Sequence, residues 1–163
     1  MLDQVGLRFA IEDARIKHGA VVALIETTTR QSMALLSLYV TLGLAAASGA
    51  ATGFGGSSIV PLGAAWALLV GAFTVLAGAG FCFHAMYTSM INLPGRGPEF
   101  WLWADDSEIS FEDACREYLR SMEEKRDSNN ALNARAAWAL HRAKLIGILA
   151  PILTLLSGVF ALF

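Results

Sequence analysis

Two long stretches of the chain contain no charged residue, and they dominate its pattern of polar and apolar positions. The first runs from Gln31 to Gly95 and the second from Leu145 to Phe163. All 12 Lys and Arg and all 14 Asp and Glu lie outside these stretches. A soluble domain distributes charges over its whole surface. The pattern therefore predicts an all-α integral membrane protein.

The first uncharged stretch is long enough for a hairpin of two membrane-spanning helices. The first span is predicted at Ser32–Ala51, close to the roughly twenty residues that cross a bilayer. Glycines and serines from Gly53 to Ser58 are typical of a turn. The second span follows, with Pro61 in its first turn. We expect this helix to continue to Asn92, because Pro94-Gly95 is the first strong stop signal.

The charged segments predict further helices on one side of the membrane. The segment before the hairpin alternates apolar and charged residues at helical spacing. It predicts an amphipathic helix that lies at the membrane surface or packs on other helices, then runs into the first span. After the hairpin, an aromatic linker precedes a helix that starts at a capping box of Ser110 and Asp113. This helix either turns at residues 127–130 or continues into a third span.

These elements define four predicted segments. They are a cytoplasmic amphipathic helix at 1–31, a two-span hairpin at 32–92, a cytoplasmic linker and helix at 93–144, and a third span at 145–163.

The basic residues predict the orientation of the chain. Four Lys and Arg precede the first span, eight lie between the second and third, and none lies elsewhere. Positive residues are enriched on the cytoplasmic side of membrane proteins. We therefore expect a cytoplasmic N-terminus and a C-terminus on the opposite side. A signal peptide is not expected, because Asp3, Glu12 and Asp13 interrupt the first residues.

The composition argues against several functional classes for this chain. The net charge of −2 gives no basic character suited to nucleic acid. Cys82 and Cys115 are too few for a disulfide scaffold. The three histidines have no second ligand at metal-site spacing, and no base accompanies a serine or threonine. We expect no catalytic residues, no metal and no cofactor.

Small residues recur along the two spans of the hairpin. Gly63, Ala67 and Gly71 repeat every four residues on the second span, and Gly43 and Ala47 do so on the first. Small residues let helices approach closely in lipid, where packing holds helices together. Packing within the hairpin is the favoured interpretation, and packing between subunits of an oligomer is the alternative.

The order of these parts resembles the small membrane effectors of Pycsar antiphage defence, and more loosely other two-span effectors linked to nucleotide second messengers. Glu26 stands just before the first span, where that family often has an Asp-x-Lys element, and Arg30 is the nearest substitute for its Lys. The resemblance also includes three later segments. They are the linker Gly97–Trp103, the stretch Ser110–Leu119, and the basic helix Asn133–Leu145 that enters the last span.

The resemblance implies a mechanism. A phage-activated cyclase makes a cyclic pyrimidine mononucleotide, and the effector then damages the bacterial inner membrane, so that growth of the infected cell stops. The partners it implies are a lipid bilayer, a cyclic mononucleotide and further copies of the chain. Glu26 and Arg30 would form a switch, with a simple i,i+4 ion pair as the alternative.

A nucleotide needs cations for its phosphate and aromatic rings for its base. The cytoplasmic segment supplies these types at Arg96, Trp101, Trp103, Arg116 and Arg120. The alternative is that the tryptophans lie at the membrane boundary and the arginines pair with acidic neighbours.

Two other functions are compatible with the sequence. The chain could be a scaffolding subunit of a membrane complex, with Phe111, Cys115, Tyr118 and Met122 as its contact with a protein partner. It could also be a holin-like pore that needs no nucleotide.

Overall fold

The computed structural model describes residues 4–56, 59–87 and 90–161, and all regular secondary structure in these residues is helical. The helices are α1 (Gln4–Phe54), α2 (Leu62–Met86), α3 (Pro98–Asp106) and α4 (Phe111–Phe160). Parts of four predictions lie outside the described residues. These parts are residues 1–3 of the amphipathic helix, the turn residues Ser57 and Ser58, residues 88–89 of the expected extension of the second span, and the end of the third span at Leu162 and Phe163.

Three of the helices are long and apolar enough to cross a membrane: α1, α2 and α4. This confirms the all-α class and the number of candidate spans. α1 has 51 residues and α4 has 50. At about 1.5 Å per residue each helix is about 75 Å long, whereas the hydrocarbon core is about 30 Å thick. Much of α1 and α4 must therefore lie outside any hydrocarbon.

The ends of the helices follow local chemistry. At the start of α4, the Asp113 N–H donates to Ser110 Oγ at 3.1 Å, and the Ser110 hydroxyl donates to Asp113 Oδ2 at 2.7 Å, which confirms the predicted cap. α4 is unbroken through residues 127–130, so the helix continues there. The expected extension of α2 to Asn92 is wrong. α2 ends at Met86, and the peptide groups of Asn92 bind side chains instead of helix neighbours.

The chain forms two compact units. Unit 1 comprises Met1–Thr27 and Thr88–Ala134, and unit 2 comprises Thr28–Tyr87 and Arg135–Phe163. The first part of α1, α3 and the first part of α4 belong to unit 1. The remainder of α1, all of α2 and the remainder of α4 belong to unit 2. α1 and α4 thus each contribute to both units.

Unit 2 is a bundle of three helices in which neighbours α1 and α2 are antiparallel. A Cβ atom on Gly43 would lie 2.8 Å from Leu76 Cδ2, and one on Gly53 would lie 2.5 Å from Ala65 Cβ. At these contacts the residue numbers increase along α1 and decrease along α2, as they do in an antiparallel hairpin. The Tyr39 hydroxyl of α1 also donates to the Ala143 carbonyl of α4 at 2.8 Å.

Both long helices bury a residue at intervals of seven. A seven-residue repeat keeps one face of a helix directed at its neighbour, as in a coiled coil. The buried residues in this repeat are His18, Ile25, Ser32 and Tyr39 of α1, and Cys115, Met122, Asn129, Ala136, Ala143 and Ala150 of α4. Two of them, His18 and Asn129, are polar residues within unit 1.

Candidate functional site

A buried polar network joins three segments of unit 1. His18 lies on α1, Asn129 lies on α4, and Asn92 lies in the segment that follows α2. The Asn92 carbonyl accepts from His18 Nε2 at 2.8 Å and from Asn129 Nδ2 at 2.8 Å. The Asn92 N–H donates to Asn129 Oδ1 at 3.0 Å. His18 and Asn129 are fully buried, so these bonds fix the segment between α1 and α4.

The contact with the Asn92 carbonyl assigns a role to one ring nitrogen of His18. A carbonyl oxygen can only accept, so a hydrogen bond here requires Nε2 to donate. Asn129 Nδ2 lies 3.0 Å from this nitrogen but donates to the same carbonyl, so the two donors share one acceptor. His18 Nδ1 is buried and has no hydrogen-bond partner among the described residues. The His18 ring is therefore held by one nitrogen only.

An aromatic cluster covers the start of α4 in unit 1. The Trp101 ring stacks on Tyr118 with centroids 5.6 Å apart, and Trp103 lies 5.7 Å from Phe100. The Arg96 guanidinium lies 5.2 Å from the Phe100 centroid and donates to Ser121 Oγ. Of the five residues predicted to bind a ligand, the structure places Arg96, Trp101 and Trp103 around Phe100 and Tyr118.

The two other predicted arginines have acidic partners on their own helix. Arg116 pairs with Glu112 and, at 3.6 Å, with Asp113. Arg120 pairs with Glu117 at 3.4 Å. These pairs are partly exposed, and pairs of this kind contribute little to stability. A phosphate at either arginine would nevertheless compete with a carboxylate that is already bound.

A cleft of about 400 Å³ lies beside the aromatic cluster. It is lined by Arg96, Phe100 and Trp103, and also by Glu99 and Glu117. Arg120 pairs with Glu117, and Glu99 stands against Arg96, so this cleft has no excess of positive charge for a phosphate. Trp101 does not line it. The structure therefore brings Arg96 and Trp103 into one cleft and leaves the rest of the predicted ligand set outside.

A second cleft, of about 580 Å³, lies along α1 in unit 1. Its lining includes two arginines, Arg8 and Arg15, with Glu12 between them, and it also includes Pro94. Within residues 4–56, 59–87 and 90–161, neither arginine forms an ion pair. Two guanidiniums against one carboxylate give this cleft a net positive charge. Isoleucines at 11 and 16 supply an apolar wall.

The buried thiol of Cys115 lies near this part of α1. Burial raises the pKa of the Cys115 thiol, and the positive charge of Arg8 opposes that rise. The thiol is completely buried, so it stays protonated at neutral pH and packs as a small apolar group. Tyr118 and Met122 are also buried within unit 1. Three residues of the predicted partner contact are thus used inside the unit, whereas the fourth, Phe111, is exposed.

The small residues of the predicted packing faces lie in unit 2. Gly43 faces α2, as expected for the hairpin, and Ala47 is half-buried on α1. The stripe on α2 faces α4 instead. A Cβ on Gly63 would lie 3.1 Å from Ala161 Cβ, Ala67 Cβ lies 3.5 Å from a Cβ built on Gly158, and a Cβ on Gly71 would lie 2.6 Å from Thr154 Oγ1.

The α2 stripe therefore packs against the third apolar helix. The expectation that it packs within the hairpin is wrong, because the α2 face toward α1 is a different one, marked by Ala65 and Leu76. The proposed switch residues, Glu26 and Arg30, are both exposed on α1, in unit 1 and unit 2 respectively. Their pairing stays a prediction.

The polar network and the α1 cleft are candidate features that the sequence did not predict. One signal was available for Asn129, which falls on the same buried stripe as Cys115 and Met122. A polar residue on such a stripe indicates a buried partner. No comparable signal identifies Arg8 or Arg15.

Comparisons with protein-family models, with curated proteins and with solved structures give no match for this chain.

Proposed function

We propose that this chain is a membrane effector that responds to a cyclic mononucleotide and then impairs the bacterial inner membrane. The observation that supports this most is the division of α1 and α4. Each helix has one part in unit 1, which contains polar clefts, and one part in unit 2, which contains most of the first uncharged run and all of the second. Because each helix is continuous, a change in the packing of α1 and α4 in unit 1 would also alter the packing of the same helices in unit 2.

The proposed topology places unit 1 in the cytoplasm and the three apolar helices in the membrane. In unit 2, α2 runs opposite to α1 and to α4. Three spans of alternating direction leave the N-terminus in the cytoplasm and the C-terminus in the periplasm. All the basic residues then lie on the cytoplasmic side, as the distribution of positive charge requires.

The nucleotide would bind in unit 1. The net charges of the two clefts indicate which of them is the better site for a phosphodiester. A cyclic mononucleotide carries one negative charge on its phosphodiester. The α1 cleft, with Arg8 and Arg15, has the charge for this group, and its apolar wall suits a base. The cleft beside Arg96 has the aromatic rings but no excess of positive charge. We therefore propose the α1 cleft as the site.

Impairing the membrane would require several copies of the chain. Three spans that contain no charge cannot enclose a wide aqueous path alone. Large apolar side chains on the outside of unit 2 are exposed in the single chain. They include Leu44, Phe73 and Leu155. In a membrane such side chains face lipid or a neighbouring copy, so an oligomer is the proposed active form.

Dye release from liposomes tests the proposal. Purified chain is reconstituted in dye-loaded vesicles, and cyclic UMP or cyclic CMP is added outside and inside. We expect release only with nucleotide. Replacing Arg8 or Arg15 by Gln should raise the required nucleotide concentration about tenfold, the typical effect of losing a charge-assisted hydrogen bond. Arg120→Gln is the matched control, because it removes a paired arginine in the same unit.

The outcomes separate the competing functions. Release without any nucleotide would indicate a holin-like pore. No release under any condition, with no nucleotide binding by calorimetry, would refute the effector proposal. If Arg120→Gln weakens the response and the α1 variants do not, the nucleotide site is wrong although the function stands.

A further inference from the structure

We propose that a groove in unit 2 binds one phospholipid with an anionic headgroup, taken from the cytoplasmic leaflet. The proposal rests on the membrane placement given above. It does not depend on a response to nucleotide. The groove lies between α2 and α4 and has a volume of about 410 Å³. It is lined by Ala77, Gly80, Phe81 and His84 of α2, and by Trp138 of α4.

The groove is lined mainly by apolar side chains, as contact with an acyl chain requires. A Cβ atom on Gly80 would meet no heavy atom within 4 Å, so this glycine leaves an open depression in the surface of α2. Phe81 and Trp138 form one wall, with ring centroids 6.1 Å apart and planes at 66°. Among the described residues of unit 2, no side chain needs Gly80 for close packing. The glycine therefore opens space toward the outside of the bundle.

The polar end of the groove is positively charged. The Arg142 guanidinium lies 5.2 Å from the Trp138 centroid, one helical turn along α4. His84 lies in the last turn of α2. Its ring has no hydrogen bond or ion pair with any residue within the described ranges. Trp138 thus has the acyl groove on one side and a cation over its face, an arrangement suited to the boundary between hydrocarbon and headgroups.

The charge balance of unit 2 identifies the occupant. The α4 part of unit 2 contains Arg142 and Lys144 and no Asp or Glu. Both cations come just before the uncharged run that starts at Leu145, where the proposed third span begins. Basic sites between spans at this depth bind anionic lipid headgroups. A phosphodiester would supply the negative charge that unit 2 itself lacks.

A second copy of the chain is a poorer occupant for this groove. Copies in one membrane share one orientation, so their basic ends would meet at the same depth. Like charges at close range repel, and no carboxylate of unit 2 could offset them. An anionic lipid in the groove removes this repulsion. Bound lipid would therefore also favour association of the copies.

Lipid-dependent thermal stability of the full chain in detergent tests the proposal. The melting temperature is measured against added phosphatidylglycerol, phosphatidylcholine with the same acyl chains, and inorganic phosphate. We expect only phosphatidylglycerol to raise it in a saturable way. Arg142→Gln should raise the half-saturating lipid concentration about fivefold, the usual effect of one cation near a headgroup. Lys144→Gln is the matched control, because Lys144 donates to Gln31, whereas Arg142 lies over Trp138, which lines the groove.

A second pair of variants tests the acyl site without changing charge. Gly80→Leu fills the depression and should abolish saturable binding. Gly19→Leu places the same side chain at another helical glycine with no neighbouring atom within 4 Å, and should not change binding.

Several results would overturn the lipid site. Equal stabilisation by the two lipids would show that the headgroup charge is not recognised, and an equal effect of inorganic phosphate would show that no acyl chain is needed. Equal losses in Arg142→Gln and Lys144→Gln would show diffuse attraction to the basic end. Because no nucleotide is present in the assay, failure of the effector proposal would leave these results unchanged.

Discussion

Replacing Asn129 by leucine should loosen the segment around Asn92 without unfolding the chain. The substitution removes two hydrogen bonds, one from the Asn92 N–H at 3.0 Å and one to its carbonyl at 2.8 Å. At about 1 kcal/mol for each bond, the local stability should fall by about 2 kcal/mol. The His18 bond to the same carbonyl remains, so we expect local opening and not loss of the fold.

Hydrogen exchange measured by mass spectrometry on the detergent-solubilised chain gives the magnitude directly. A loss of about 2 kcal/mol corresponds to exchange of the Asn92 amide that is about 30-fold faster. Asn130→Leu is the matched control, because Asn130 is the next residue on α4 and is exposed. Peptides from α2 should exchange at the same rate in the unsubstituted chain and in both variants.

The reasoning fails if Asn129→Leu and Asn130→Leu change the exchange of the Asn92 peptide by the same amount. The network would then not hold the segment. It also fails if Asn129→Leu accelerates exchange throughout unit 1, because the network would then be required for the whole unit and not for one segment.

Three further predictions concern packing and pH. Gly71→Val should lower the melting temperature of the chain in detergent, because a Cβ there overlaps Thr154 Oγ1, whereas Gly80→Val should not; equal effects would contradict the α2–α4 contact. Tyr39→Phe removes a buried hydrogen bond and should cost about 0.6 kcal/mol of unfolding free energy in detergent; no change would show that the bond contributes nothing. Burial raises the pKa of the Cys115 thiol above its unfolded value, so its contribution to stability is full below about pH 8.5 and is lost as pH rises through the folded pKa. Alkylation of Cys115, mapped by mass spectrometry, should be slow at pH 8 and should accelerate on unfolding; rapid alkylation of the folded chain would show an accessible thiol.

The local features of the fold were predictable because they depend on neighbours in the sequence. The apolar runs are long enough for three helices, and α1, α2 and α4 contain them. The cap formed by Ser110 and Asp113 needs only residues three apart, and it is present. The turn between α1 and α2 follows from a cluster of glycines before Pro61. In each case the determining interaction lies within one helical turn or one uninterrupted apolar run.

The candidate site was less predictable because its partners are distant in the sequence. Arg116 and Arg120 have the residue type that binds phosphate, but each pairs with a carboxylate three or four residues away on its own helix. Arg8 has Glu12 at the same spacing, yet among the described residues it forms no ion pair, which only the structure shows. The residue type predicted positive charge, and the fold decided which of these charges is available.

The sequence by itself determined where this chain is apolar, where it is charged and which stretches become helices, since hydrophobicity and helix propensity act along the chain. Only the tertiary structure decided which faces meet. The α2 stripe at Gly63, Ala67 and Gly71 fits any close helix, and its contact with α4 follows from the bundle. His18 and Asn129 are separated by 111 residues, and a hydrogen-bond network between them exists only after the long helices have packed in register.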